Sequence, residues 1–481
     1  MMAHSSLGEL DEDITIGNIT LLIKDASDER RKKKALETKT WSTIQDVKHV
    51  LQQKLHIPIS RQRLFYRGRE LRNAHTLATC GLFRDRQTVV LAVAPEPGDA
   101  LLPLARPLNE NCPRDLARTL TQAQRALELN IVPELAMEGT GGTYFLKDAR
   151  KRPLGAFKPG DEEPFMPNNP RGFEPGSAGG AGGEALSMRP GVRAGEAYLR
   201  EVAAYLLDQS WGGLAGVPAT ALALAQHSAF RYADGRVRPK VGSFQAFVRA
   251  EEGCAGDHAP ARLPAAEVHK VALLDLRLLN GDRNDANLLV RRRRRPRPAE
   301  DGGAGAGGAL AWELELIPID HGYCLPERVE IGWCDLCWLE WPQLRAPLSP
   351  ALRAAVLALD PAAEARRLGR RLGGLRPLAL RHCRAAHALL VAGVGRGLSL
   401  RGLADLVVRE DLDRPSAFER ALGRAADLAR ADTRDKARGR GLGGLALGLR
   451  ELQGLALGEE RGVPAWLPPP SPPAPGAAGG A

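Results

Sequence analysis

The sequence predicts an α+β protein with two folded domains in tandem, a small sheet-and-helix domain ahead of a larger one that begins in strands and ends in helices. Three observations predict it. Strand-like runs surround one amphipathic helix between residues 14 and 94. A glycine turn, a strand carrying one lysine and a loop crowded with Asp and Asn follow in that order between residues 125 and 320. Beyond Pro350, Leu, Ala and Arg recur at helical spacing, as in 362–375 and 377–394.

A chain of 481 residues is longer than one core serves, and its 52 glycines and 35 prolines gather in runs that read as insertions rather than elements. The formal charge of +10 is partly local, because Arg291 to Arg295 and Arg297 supply six of the positive charges. A solvated loop accounts for that cluster, contact with acidic lipid is the second reading, and no nucleic-acid partner is expected. Seven scattered cysteines form no disulfide framework and fit a reducing compartment. Cys334-x-x-Cys337 has no second pair and reads as two thiols rather than a zinc site. The start, Met1-Met2-Ala3-His4, lacks an apolar signal core, and no apolar run approaches the roughly 18 residues that span a bilayer. The expectation is a cytoplasmic protein peripheral to membranes, with nuclear presence left open.

In the small domain, Ile16 to Ile23 and Ala35 to Thr40 read as paired strands around a charged hairpin, Asp28 to Lys34. Thr43 can cap a helix whose Ile44, Val47, Val50 and Leu51 share one face. Arg63 to Leu71 gives two short strands about Gly68, and Thr88 to Val93 closes the sheet. Phe65 and Val90 fit either an exposed docking face or the core. Residues 95–124, opened by five prolines in 95–113, read as a linker, and 461–481 as a disordered tail.

In the large domain, Gly139-Thr140-Gly141-Gly142-Thr143 precedes a strand, where bare backbone amides can approach phosphate oxygens. Lys158 emerges from the next strand, placed for the α and β phosphates of ATP. After an insertion at 164–190, the amphipathic helix through Glu196 to Leu207 offers a carboxylate to hold Lys158, with Glu201 first and Glu196 second. Val241 to Val248 reads as a strand running into a connector whose backbone can meet adenine. Asp282, Asn287 and Asp320 then supply what phosphoryl transfer needs: a carboxylate to take a hydroxyl proton, and an amide and a second carboxylate to hold metal ions. Arg283 reads as a loop organiser or an exposed arginine, and Asn284 and Asp285 carry no role. Residues 291–310 read as a loop between two strands.

Two resemblances rest on these motifs. Arg63-Leu64-Phe65-Tyr66-Arg67-Gly68-Arg69-Glu70-Leu71 and the order of elements around it resemble ubiquitin, which implies a β-grasp docking module for residues 14–94. The domain ends without Gly-Gly, so conjugation is not implied. Gly139 to Thr143, Ala156-Phe157-Lys158-Pro159, Arg200-Glu201-Val202-Ala203-Ala204-Tyr205, Lys240 to Gln245, Asn280 to Asn287 and Pro318-Ile319-Asp320-His321-Gly322 resemble the phosphatidylinositol 3/4-kinase superfamily, its type II branch. With the leading domain and Cys337-Trp338-Leu339-Glu340-Trp341-Pro342-Gln343, the chain is similar to the plant and algal phosphatidylinositol 4-kinase gamma group.

The resemblance implies a bilobal protein-kinase-like catalytic domain over 125–460, its first lobe about 125–249 and its second about 250–460. It implies ATP bound by Lys158 and by a hinge at Gln245, Ala246, Phe247 and Val248, with Asp282 as the catalytic aspartate. It implies Mg2+ on Asn287 and Asp320, and membrane phosphatidylinositol as acceptor. A ubiquitin-receptor or proteasome-type partner is implied for the first domain. Trp333, Trp338 and Trp341 fit a membrane interface or core packing equally. The acidic run around them, Glu327, Glu330, Asp335 and Glu340, keeps a serine/threonine protein kinase on the same fold as the alternative, with a ubiquitin-system adaptor third.

Overall fold

The computed structural model describes residues 17–25, 33–67, 69–93, 103–109, 111–173, 188–296, 310–372 and 374–437. The charged hairpin centre, most of the glycine-rich insertion, residues 297–309 and the C-terminal tail lie outside the described residues. The chain forms two compact units. Residues 1–250, 318–327 and 366–380 belong to the first, and 251–317, 328–365 and 381–481 to the second.

The first unit begins with a five-stranded sheet of β1 (Asn18–Asp25), β2 (Lys33–Lys39), β3 (Gln62–Tyr66), β4 (Arg69–Glu70) and β5 (Thr88–Val93), in the order β2-β1-β5-β3-β4. The central pair, β1 and β5, runs parallel, which needs a crossover, and α1 (Ile44–Leu55) supplies it. Thr43 and Asp46 cap that helix reciprocally: Thr43 Oγ1 accepts the Asp46 amide at 3.1 Å and Asp46 Oδ2 accepts the Thr43 amide at 2.8 Å. Ile44, Val47 and Leu51 then pack on Ile19, Leu21, Leu64 and Leu91 to form the core. Phe65 and Val90 face each other across β3 and β5, and both are buried, at 1% and 8% exposure, yet neither belongs to that core. Of the two readings left open for these residues, the exposed face does not hold, since both side chains are covered.

A second sheet follows, built from β6 (Leu104–Pro107), β7 (Glu134–Leu135), β8 (Tyr144–Lys147), β9 (Pro153–Pro159), β10 (Thr220–Gln226) and β11 (Lys240–Ala246). Its order is β6-β10-β11-β9-β8-β7, antiparallel throughout. The expected linker, 95–124, is corrected here. β6 pairs with β10 as an edge strand, where proline does least harm, and α2 (Arg114–Glu128) buries Leu116, Leu120, Ala123 and Leu127 against Tyr144, Phe157 and Phe244. Spacing of four, three and four residues made that helix amphipathic despite the prolines before it. The insertion expected at 164–190 also begins too early, because 164–173 is folded: Asn168 is buried, and Asn169 bonds back to the glycine turn. Helix α3 (Ala197–Ser210) crosses behind β10 and β11.

The first α-helix of the second unit is α4 (Ala265–Leu278), which is buried on nearly every side and stops at Leu279 in the left-handed conformation, φ 49°. β12 (Leu288–Pro296) and β13 (Leu310–Pro318) form a two-stranded sheet. The loop expected at 291–310 is corrected at its start. The arginines continue β12, held because Arg291 and Arg293 both reach Glu315 and Arg292 reaches Glu252. Helices α5 (Pro350–Leu357), α6 (Pro361–Arg371), α7 (Pro377–Gly395), α8 (Leu400–Val407) and α9 (Ala417–Ala437) complete the described chain, α6 and α7 contributing residues to both units. The three tryptophans divide. Trp338 is fully buried and Trp341 9% exposed, so both are core, while Trp333 is 58% exposed.

Candidate active site

In β9, alternation sends Phe157 into the sheet's core and Lys158 to the opposite face. One turn into α3, the Glu201 carboxylate meets it: Lys158 Nζ lies 2.5 Å from Glu201 Oε1 and 3.0 Å from Asp320 Oδ1. The second oxygen of Glu201 accepts the His321 amide at 3.0 Å, so one buried carboxylate ties the lysine to the segment that carries Asp320. Burial works against the Lys158 ammonium, but the Asp320 and Glu201 charges outweigh it and hold its pKa above the ordinary value. Burial likewise opposes the Glu201 anion. Lys158 and the His321 hydrogen bond overcome that and hold the carboxyl below its usual range. Both groups are ionised at neutral pH. Asp320 adopts φ 54°, the left-handed region.

Glu196, the second candidate for the lysine's partner, does not reach it. It pairs instead with Arg376 at 2.7 Å. The start of α3 is capped from a distance by Glu163, whose carboxylate accepts the Ala197 and Tyr198 amides at 3.0 and 2.9 Å.

The glycine turn is fastened from behind. The Gly142 amide donates to the Glu162 carbonyl at 3.0 Å, and Asn169 Nδ2 donates to the carbonyls of Thr140 at 2.9 Å and Glu162 at 3.0 Å. Glu162 is itself held by the Tyr144 hydroxyl at 2.6 Å and the fully buried Lys240 at 2.9 Å. A Cβ on Gly142 would stand 2.3 Å from Glu162 Oε2, so only glycine fits there, and Gly139 needs its freedom for φ 101°. Gly141 and Thr143 complete this turn.

Along the connector after β11, Gln245 Nε2 donates to Thr220 Oγ1 at 3.0 Å. The Ala246 and Phe247 amides donate to the Ala219 and Leu154 carbonyls at 2.8 and 3.0 Å. Those two amides are committed to the protein, and the Phe247 ring is 43% exposed. Val248 is half-buried.

The second unit positions Asp282 and Asn287. Arg283 is the organiser: it is fully buried, bonds Asp275 through Nε at 3.0 Å and through Nη2 at 3.0 Å, and donates from Nη1 to the Asn287 carbonyl at 2.8 Å. Asp275 also accepts from Asn280 Nδ2 at 2.9 Å and Trp338 Nε1 at 2.8 Å. Each lone pair of this buried carboxylate thus meets a donor. Asn284, given no role above, accepts the Asn287 amide on its side chain at 3.1 Å and fixes the turn. Asn287 Nδ2 donates to the Asp282 carbonyl at 3.2 Å, which leaves Oδ1 as the acceptor end of that amide. Asp282 is half-buried beside a buried Gly281.

The structure therefore brings Lys158, Glu201 and Asp320 together in the first unit, and Asp282 and Asn287 in the second. A carboxylate oxygen, as Asp320 offers in the first unit, and an amide oxygen, as Asn287 offers in the second, are hard donors of the kind that could hold divalent cations. Glu162, Glu163, Asn169, Lys240 and His321 were missed as supports. The signal lay in Asp161-Glu162-Glu163 directly after a buried strand, since buried carboxylates demand partners.

Comparison with known proteins separates the small N-terminal domain from the region that carries the site. The family model described as Phosphatidylinositol 3- and 4-kinase matches residues 139–400, and that of the Ubiquitin family matches residues 23–96. Phosphatidylinositol 4-kinase gamma 6 of Arabidopsis thaliana is 37% identical over 310 residues, 62% of this chain and 47% of its own length. Phosphatidylinositol 4-kinase gamma 4 of Oryza sativa subsp. japonica is 35% identical over 371 residues, 71% of this chain and 60% of its own. The chain spans about half the length of the curated relatives it matches.

Proposed function

The chain belongs to the phosphatidylinositol 3- and 4-kinase family, and from that premise we propose that it is an ATP-dependent phosphatidylinositol 4-kinase. It moves the γ-phosphoryl group of ATP to a hydroxyl of the inositol ring, position 4 following the names of its relatives. The observation that carries the reading is the Lys158–Glu201–Asp320 cluster, an ion pair held ready in a strand-and-helix setting.

In this reading Lys158 and the amides of the 139–143 turn take the phosphates, and the 245–248 connector meets adenine. With the Ala246 and Phe247 amides already engaged, the rest of that connector reads the adenine edge. Asp282 accepts the proton of the attacking hydroxyl as its oxygen bonds to the γ phosphorus and the bond to the β-phosphate oxygen breaks, leaving ADP. Asn287 and Asp320 hold divalent cations, magnesium by preference, which neutralise phosphate charge when bound. The β-grasp domain contributes protein contacts. No described helix is long and apolar enough to cross a membrane.

The acidity that favoured a protein substrate is partly engaged by arginines: Glu330 pairs with Arg328 at 2.6 Å and with Arg409, and Glu340 pairs with Arg401 at 2.7 Å. The test is incubation with γ-labelled ATP and magnesium, on phosphatidylinositol vesicles or on protein acceptors. Label in the lipid, lost in Asp282→Ala, is the expected result. Label confined to protein overturns the substrate, and an Asp282→Ala variant that labels as well as the parent overturns the catalytic assignment.

A further inference from the structure

The small domain has two apolar faces, and its own helix covers only one. Along β3 and β5, Leu64, Tyr66, Val89 and Leu91 point to α1, while Phe65, Val90 and Ala92 point away. Yet these last three are buried, Ala92 at 2%. Within the same compact unit, residues of the kinase-family region stand on that side. Arg63 donates to the Pro239 carbonyl, and its charge is felt by Asp161 and Tyr232. Arg67 Nη1 donates to the Gly369 carbonyl at 3.1 Å. Thr88, Val90 and Arg67 line one cleft together with Leu108, Asn111 and Arg370. On β4, Arg69 and Glu70 act electrostatically on Tyr198, in the first turn of α3 and one turn before Glu201.

We propose that the ubiquitin-like domain is an intramolecular clamp on the catalytic region, docked through its Phe65–Val90–Ala92 face and steadying the helix that presents Glu201 to Lys158. Domains joined by a chain move independently unless an apolar contact of this kind holds them. Two consequences follow. A protein partner can take this face only by displacing the clamp. By linkage, whatever takes the face weakens nucleotide binding by the factor with which nucleotide weakens the partner. The contact stands on the Arg63 and Arg67 hydrogen bonds and on the burial of the face, and only its effect on ATP rests on the proposed kinase reading.

The experiment is hydrogen exchange on the full chain carrying Arg63→Gln and Arg67→Gln, side chains outside the domain's own core. The expected result is several-fold faster exchange over residues 197–203 and in β3 and β5, with β1 and α1 unchanged. The KM for ATP should rise about threefold or more, at a kcat held within about twofold. If β1 also loosens, Val90→Glu decides, since it charges the covered face without entering that core. Unchanged exchange in α3 in the variant that keeps β1 intact overturns the clamp. Faster exchange with an unchanged KM overturns its coupling to nucleotide. A parent chain that turns over no ATP at all sinks the kinase reading and leaves the exchange result to judge the clamp.

Discussion

Asp320 Oδ1 lies 3.0 Å from Lys158 Nζ, so the residue assigned to a metal and the residue assigned to phosphate neutralise each other. In the proposed kinase reading, a bound metal nucleotide would give each a stronger partner. Asp320→Asn removes one of the two carboxylates that hold the lysine's pKa up, while its burial remains. The Lys158 amine should then acylate at lower pH than in the parent, read by labelling and mass spectrometry. Phosphoryl transfer should fall by on the order of a hundredfold or more, with kcat affected more than KM. Unchanged amine reactivity would show that Glu201 alone sets the charge.

Arg283 and Asp275 form a buried pair on which the Asp282 loop is built. Arg283→Leu leaves the Asp275 carboxylate buried with only the Asn280 and Trp338 donors, and should cost about 3–5 kcal/mol in urea unfolding. Arg283→Leu with Asp275→Leu should recover much of that stability without recovering activity, because the bond to the Asn287 carbonyl is gone. Asp282→Asn should do the reverse, losing transfer at parental stability. Equal losses in the single and double variants would remove the pair's claim to organise the loop.

These two clusters show what could be read from the sequence. That Lys158, Glu201 and Asp320 would meet was legible from motifs placed on a strand, a helix and the segment after a strand, and that Asp282 and Asn287 share one turn from their spacing of five residues. Thr43 and the helix after it were equally legible, from a local cap and a local period. Long-range partners were not. Nothing near Arg283 distinguishes an exposed arginine from one that crosses to α4, and nothing near Gly142 names Glu162 as its neighbour. β6 and α2 were hidden because prolines dominate 95–113, and an edge strand tolerates prolines that a central strand would not. Phe65 and Val90 were ambiguous for a sharper reason. Alternation places them on the outer face, but only the rest of the chain decides whether that face meets water.

Gly142→Ala tests the fastening of the glycine turn. The added methyl would fall 2.3 Å from Glu162 Oε2 and 2.8 Å from its Cβ, and Glu162 cannot retreat without breaking its bonds to Tyr144 and Lys240. The turn must move instead. The KM for ATP should rise by about tenfold or more, while the melting temperature drops by a few degrees. Asn169→Ala, which frees the Thr140 carbonyl from the other side, should act in the same direction more weakly. A Gly142→Ala enzyme with parental KM would show that the phosphates do not contact this turn.

Glu163 should make stability depend on pH near neutrality. Burial pushes its carboxyl up to about 7 from 4.5, against the Ala197 and Tyr198 amides that favour the anion. A raised folded pKa means that the folded chain holds the proton more tightly than the unfolded one. The resulting stability is complete below about 4.5 and is lost as pH rises through 7, by at most about 3 kcal/mol. Glu163→Gln keeps an acceptor for one of the two amides and has no proton to lose. Urea unfolding at pH 5 and pH 8 separates the cases. The parent should weaken relative to the glutamine variant across that interval, with the loss seen first as faster exchange at the start of α3. Parallel pH profiles would mean that the two amides hold the carboxyl in its ordinary range, and that the start of α3 is anchored by a permanent anion.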